Sequence, residues 1–172
     1  MIFPEYRLVT LTRATILLRF RRDYDRMCRE FFCSGALIMT DTITRVVTWS
    51  APIERVWQML TEPDYLVHWM CSAVAPFRLV PGELIWFTWD DDRFRARIVA
   101  VEPPRLFVWE WYPGSGEDLA KSLEDQGPLT TVTFALDEVE GGTRLTLTET
   151  GFAALSPDRQ RRSVEVHDPT RT

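Results

Sequence analysis

The apolar positions of this chain change period along its length. From Ile43 to Trp49 the sequence is rich in Val and Thr, the composition of a strand. Ala51-Pro52 then starts a helix. Pro52 suits a first helical position, because it lacks only a donor that would be unpaired there anyway. Glu54 lies in the first turn, where the helix dipole favours a carboxylate. Ile53, Val56, Trp57 and Leu60 fall at i, i+3, i+4 and i+7, one apolar face of a helix over about 52–60. Pro63 ends that helix and opens a second one to about residue 70, with Leu66, Trp69 and Met70 inward.

From Phe77 the period becomes two. Ile85, Phe87 and Trp89 alternate with Leu84, Trp86 and Thr88, and Asp90-Asp91-Asp92 makes a turn. Phe94, Ala96, Ile98 and Ala100 alternate with Arg93, Arg95, Arg97 and Val99. Pro103-Pro104 breaks that strand. In the next, Phe107, Trp109 and Trp111 form one face and Leu106, Val108 and Glu110 the other. Residues 113–128 read as a loop with one helical turn near 119–123. Val132, Phe134 and Leu136 alternate with Thr131, Thr133 and Ala135, and Gly141-Gly142 is a hairpin signal before Leu145, Leu147 and Glu149. The pattern predicts that Phe94, Ile98, Val132, Phe134, Leu145 and Leu147 share a buried face. Arg95, Arg97, Thr133 and Thr146 are expected on the opposite, wet one. One antiparallel sheet with helices segregated to one side is an α+β domain.

With 172 residues, 45% of them hydrophobic, the chain is long enough for one domain with a real core. Its net charge of −5 speaks against general nucleic-acid binding. Residues 1–38 hold seven Arg against four acidic residues, a net of +3, which leaves −8 for the rest. Within them Leu17, Phe20, Tyr24, Met27 and Phe31 recur at alternating steps of three and four. A helix over about 14–33 that covers sheet surface is one expectation, and an over-long start to the chain is the other. Arg19, Arg21, Arg22, Arg26 and Arg29 read as a solvated helix face rather than a site for RNA. No run approaches the roughly 18 apolar residues of a membrane span, and no signal-peptide pattern opens the chain. Cys28, Cys33 and Cys71 lack metal-type spacing, so free thiols in a reducing, cytoplasmic compartment are expected.

Ala51-Pro52, Val56-Trp57, Leu60-Thr61, Pro63, Leu66 and Trp69 come in a telling order with three later groups. These are Pro103-Pro104-Arg105-Leu106, Thr131-Val132-Thr133-Phe134, and Gly142-Thr143-Arg144-Leu145-Thr146-Leu147-Thr148 with Gly151-Phe152. Over about residues 42–155 the chain resembles the START-like superfamily, also described as the helix-grip or birch-pollen-allergen-like fold. Within it the chain is similar to the bacterial branch named after the activator of a heat-shock protein ATPase. The resemblance implies a curved antiparallel sheet with two short helices after strand one, wrapped around a long C-terminal helix with an apolar cavity between. It implies a START-like domain over 39–155. Residues 1–38 are then an N-terminal extension, with Met39 a natural start, and 156–172 an atypical polar tail. That tail lacks an apolar stripe, so the family's last helix is expected to be truncated or absent.

Glu149 extends the row of Leu145 and Leu147. A carboxylate there can bind a ligand hydroxyl or serve as an acid or base, whereas the plainer reading is a strand-end carboxylate near solvent. Glu110 is a weaker candidate: both faces of its strand are apolar, so parity leaves its direction open. His68 has no Ser, Cys or Asp placed to complete a triad and reads as a surface histidine. Two His and three scattered Cys form no ligand set, so no metal or other cofactor is expected. Trp57, Trp69, Trp89 and Phe94 fit core positions. Trp86, and either Trp109 and Trp111 or Val108, are left over as a binding surface or uncovered core.

The expected function is non-catalytic binding of a small apolar or aromatic ligand. Trp69, Trp89, Phe94, Trp109, Phe134, Leu147 and Glu149 are the ligand-binding candidates, with burial of apolar surface as the driving force. A cyclase- or hydrolase-type enzyme using Glu149 or Glu110 is the alternative, and a chaperone ATPase activator a weaker one. No feature of the chain points to an oligomeric state.

Overall fold

The computed structural model describes residues 41–68, 70–71, 73–74, 78–89, 92–113 and 120–160, the side chains of Trp89 and Asp92 excepted. The helix expected over 14–33 lies outside the described residues. Seven strands form one antiparallel sheet: β1 (Thr42–Trp49), β2 (Ala73–Val74), β3 (Leu84–Trp89), β4 (Asp92–Glu102), β5 (Leu106–Trp111), β6 (Thr130–Val139) and β7 (Gly142–Thr150). Their spatial order is β1-β7-β6-β5-β4-β3-β2, so β2 to β7 form a meander and β1 returns to pair with β7. Two helices, α1 (Ile53–Thr61) and α2 (Pro63–Leu66), occupy the connection from β1 to β2.

The two periods explain the packing. Ile53, Val56, Trp57 and Leu60 of α1 are buried in one cluster with Ile85, Phe87, Ile98, Phe107, Trp109, Val132, Phe134, Leu136 and Leu145 of the sheet. Trp57 meets Phe107 edge to face with ring centres 6.4 Å apart. Each of those large side chains contributes about 1.5–3 kcal/mol through burial. α2 is shorter than expected. Its helix stops at Leu66, although the Met70 amide still reaches the Leu66 carbonyl at 2.9 Å. Arg55 ties the two helices together by donating to Tyr65 Oη at 2.7 Å.

The register pairs Phe134 with Leu147, Val132 with Glu149 and Leu136 with Leu145. It pairs Trp109 with both Val132 and Ile98. The inner row therefore carries the apolar side chains expected there, with Phe94 half-buried and the others buried or packed on the core. Three details differ. Arg95 is on the outer face but only 7% exposed, with its guanidinium 5.3 Å from the centre of the Trp86 ring, so that face is not uniformly wet. The register shifts between Ile98 and Ala100. The extra residue, Val99, is exposed; Ala100 then pairs with Val108, and Val101, not Ala100, joins the inner row beside Phe107. The turn expected near 119–123 is a 3₁₀ turn at Glu124–Gln126.

The tail expected to hold a truncated helix or none begins with one helical turn. Residues 157–160 are helical, and the Gln160 amide donates to the Ser156 carbonyl at 2.9 Å. Arg159 holds this turn to the end of β5, with its guanidinium 3.3 Å from the centre of the Tyr112 ring and Nη1 donating to the Pro113 carbonyl at 2.6 Å. Residues 161–172 lie outside the described residues.

Where β7 begins, the chain passes against the end of β1. A Cβ on Gly142 would stand 1.8 Å from the Trp49 carbonyl oxygen. Gly142→Ala is therefore expected to destabilise the fold by about 1–3 kcal/mol through overpacking. Urea unfolding checks this, and an unchanged midpoint would show that this strand crossing does not constrain the register.

Candidate functional site

Period two puts Ile43, Arg45, Val47 and Trp49 of β1 on the inner face, because Arg45 pairs with Leu147 and Ile43 with Glu149. Thr42, Thr44, Val46 and Thr48 point outward and are exposed. The adjoining rows supply Leu147 and Glu149, Val132 and Phe134, then Phe107, Trp109 and Trp111. Their rings interlock. The Trp109 centre lies 4.7 Å from Phe134, 5.1 Å from Phe107 and 5.5 Å from Phe87. Phe94 sits at the margin, 6.4 Å from Trp111.

Glu149 is 5% exposed in this apolar setting. Two neutral donors hold it: Thr130 Oγ1 donates at 2.5 Å and Trp111 Nε1 at 3.0 Å, both to Oε1. No hydrogen bond among the described residues reaches Oε2. Two buried donors nearby have no hydrogen-bond partner, Arg45 Nε and Trp109 Nε1. Arg45 spends one other nitrogen, Nη1, on the Thr44 carbonyl at 3.0 Å. No ion pair joins Arg45 to Glu149 among the described residues.

The register also settles Glu110. It points to the outer face, where Arg97 donates to it through Nε at 2.7 Å and through Nη2, while Arg97 Nη1 binds Glu124. These carboxylates raise the Arg97 pKa further, with the Glu110 hydrogen bond first among the causes. The cross-strand pair is a clamp on the half-exposed outer face and stands apart from Glu149. Trp86, the other leftover aromatic, lies on that face between Arg93 and Arg95. His68 is exposed. Cys71 is a free thiol buried in the core, and desolvation pushes its pKa from 9.0 to about 11 against smaller opposing hydrogen bonds from the backbone of Thr88 and Ala73. Among the described residues no three His, Cys, Asp or Glu gather in a metal-binding group.

The structure thus brings together Trp109, Phe134, Leu147 and Glu149 of the residues chosen from sequence and puts Phe94 at their edge. Trp69 and the Trp89 side chain lie outside the described residues. Sequence reasoning missed Arg45, Thr130 and the pairing role of Trp111. The signal for Arg45 was present: it shares the parity of Ile43, Val47 and Trp49. No comparable signal marked Thr130, whose role depends on the β6–β7 register.

A family model described as Activator of Hsp90 ATPase homolog 1-like protein matches residues 50–165. None of the curated proteins matches the chain. Among solved structures, protein MLL2253 from Mesorhizobium loti is 24% identical, with 73% of this chain and 85% of that one covered and a TM-score of 0.58. The Aha1 dimer from Colwellia psychrerythraea is 18% identical, with 74% and 88% covered and a TM-score of 0.56. DynU16, a protein of the dynemicin biosynthetic locus, is 20% identical, with 75% and 44% covered and a TM-score of 0.58. At these identities the likeness is one of fold.

Two outcomes follow from the buried polar groups. Glu149→Ala strands the Trp111 and Thr130 donors, whereas Glu149→Gln keeps an acceptor for them. The Gln variant should exceed the Ala variant in unfolding free energy by about 1–3 kcal/mol, and equal values would show that water replaces the carboxylate at no cost. For Cys71, a raised folded pKa means stability fully present below pH 9.0 and lost as pH rises toward 11. At pH 8 its thiolate fraction is about 100-fold below that of an ordinary thiol. Mass-spectrometric mapping of iodoacetamide labelling should find Cys71 protected in native protein and labelled once urea is added. Rapid native labelling would contradict its burial.

Proposed function

This chain belongs to the Activator of Hsp90 ATPase homolog 1-like family, and from that premise we propose that it binds a small apolar or aromatic molecule against the inner face of its sheet without transforming it. One observation carries this reading: an interlocked aromatic surface holds a buried carboxylate whose second oxygen is unspent. Apolar area supplies the affinity and a few fixed polar groups supply orientation, the usual division of labour in small-molecule sites. Trp109, Phe134 and Leu147 provide the surface, Phe94 its margin, and Trp69 and Trp89 join them on the sequence pattern. Glu149 orients the ligand.

Binding is favoured over catalysis by the state of the cysteine and histidine among the described residues. The buried Cys71 thiol stays protonated at neutral pH, and His68 is exposed. Neither is placed as the nucleophile or base of a triad beside Glu149. The free Cys71 thiol fits a cytoplasmic setting, and no helix among the described residues is long and apolar enough to cross a membrane.

Native mass spectrometry of the protein purified from cells, paired with titration of the neutral dye N-phenyl-1-naphthylamine, tests the proposal. A retained small molecule, or saturable one-to-one dye binding with energy transfer from tryptophan, is expected. Leu147→Trp should weaken dye binding by about tenfold, since the larger ring occupies surface offered to the ligand. Absence of both retained ligand and saturable dye binding would overturn the reading. So would substrate turnover abolished by Glu149→Gln, which would make the chain a cyclase- or hydrolase-type enzyme, or ligand-independent stimulation of an Hsp90 ATPase.

A further inference from the structure

β1 stands at one end of the strand order, so among the described residues only one of its sides is paired. The direction of its backbone groups follows from the register. The Asp41 carbonyl accepts from the Gly151 amide at 3.1 Å, one step beyond the Thr42–Thr150 pair. In an antiparallel ladder the residues that exchange bonds with one neighbour alternate. Ile43, Arg45, Val47 and Trp49 therefore turn their N–H and C=O groups to β7, whereas Thr44, Val46 and Thr48 turn theirs to the open side. The Arg45 side chain agrees with this, because its Nη1 reaches the Thr44 carbonyl at 3.0 Å on the exposed side.

An edge of this kind is a template for another strand, and proteins commonly shorten, bend or interrupt it. The opposite edge, β2, has only two residues. β1 has eight, contains no Pro or Lys, and pairs with β7 without a bulge from Thr42 to Trp49. At its middle Val46 is 57% exposed, the most exposed large hydrophobic side chain among the described residues. No hydrogen bond among the described residues reaches the outward groups of Val46 or Thr48.

The sequence of β1 is its own complement. In an antiparallel pair of identical strands, opposite residues share a face, so the two-fold axis falls on one residue. Axes at Arg45 and at Val46 give the longest overlap. An axis at Arg45 sets two guanidinium groups against each other, which is destabilising. An axis at Val46 packs the exposed valine on its own copy, Thr44 against the partner's Thr48, Ile43 against the partner's Trp49, and Arg45 against the partner's Val47. It also falls on an outward-bonding residue, so the two Val46 residues exchange both of their backbone bonds. Each Thr44 does the same with the partner's Thr48, and the Thr44 carbonyl has a second lone pair for that bond.

We propose that two copies of this chain pair antiparallel through β1, with the two-fold axis at Val46, so that one sheet runs across both. The proposal is independent of the ligand reading. Sedimentation equilibrium on the full chain tests it, and a mass of two chains is expected. Val46→Asp sets two carboxylates against each other at the axis and should raise the dissociation constant by about tenfold or more. Its far-UV spectrum should stay unchanged, since the side chain is exposed in a single copy. Val46→Cys tests the same register without adding charge. Cα atoms of a bond-exchanging pair lie about 5.5 Å apart, within reach of a disulfide. Mild oxidation should trap a dimer whose cross-link maps by mass spectrometry to position 46 of both chains, and Arg45→Cys should give no such link at position 45. A single-chain mass at every concentration overturns the proposal and leaves the edge to another segment of the same chain or to solvent. A dimer that Val46→Asp leaves unchanged, or that Val46→Cys does not trap, overturns the assignment to β1 in this register.

Discussion

Side-chain parity in β5, β6 and β7 is the constraint on which everything else depends. Three adjacent strands must place Trp109, Val132 and Glu149 in one row and Phe107, Phe134 and Leu147 in the next. A slip of one residue would expose that surface and bury Thr131, Thr133 and Thr146 in its place. The register is held at both ends of the sheet's return. At one end Gly142 lets β7 pass against the Trp49 carbonyl, and Thr143 Oγ1 donates to the Ala51 carbonyl at 2.7 Å. At the other, Asp41 accepts from the Ala153 amide at 2.8 Å, tying the start of β1 to the segment after β7. These contacts between β1 and the far end of the chain close the sheet over α1, and the helix then buries its single apolar face.

The two faces treat charge in opposite ways. On the outer face charges are consumed locally: Arg97 by Glu110 and Glu124, Arg144 by Asp137, Arg93 by the Trp86 ring. Such half-exposed pairs contribute little to stability individually, but they leave few unmet demands. On the inner face the reverse holds. Glu149 is satisfied by neutral donors on one oxygen, and Arg45 is kept from it. Arg45, half-buried, keeps its guanidinium bond to the Thr44 carbonyl on the exposed side.

Much of the fold was legible because its sequence patterns agree across levels. Ala51-Pro52 with Glu54 starts α1, the i, i+3, i+4, i+7 face orients it, and strict alternation orients β6 and β7. What escaped has a physical reason in each case. The bulge at Val99 changes parity without any Gly or Pro to announce it, so Val101 was exchanged for Ala100. The two-residue β2 is too short to carry a period. Arg95 looks wet by composition, but its stem and guanidinium lie along Trp86, and long cationic side chains commonly bury their apolar length this way. Glu110 was undecidable because Val108, on the same face, is itself buried.

The site was legible only in its apolar half. Period two names the rings but says nothing about which polar atoms meet. Thr130 and Trp111 converge on Glu149 from positions 19 and 38 residues away, and no local pattern encodes such a meeting. Arg45 is the instructive omission. Its neighbours at i−2, i+2 and i+4 are Ile43, Val47 and Trp49. Its charge suggests solvent, whereas its parity puts it on the inner face. Parity prevails because a strand paired along its whole length cannot turn one side chain to the other face without a bulge, and β1 pairs with β7 unbroken from Thr42 to Trp49. A charged residue held on an apolar face by its backbone can reach out to solvent or find a partner inside. The buried Nε of Arg45 shows that this one is turned at least partly inward.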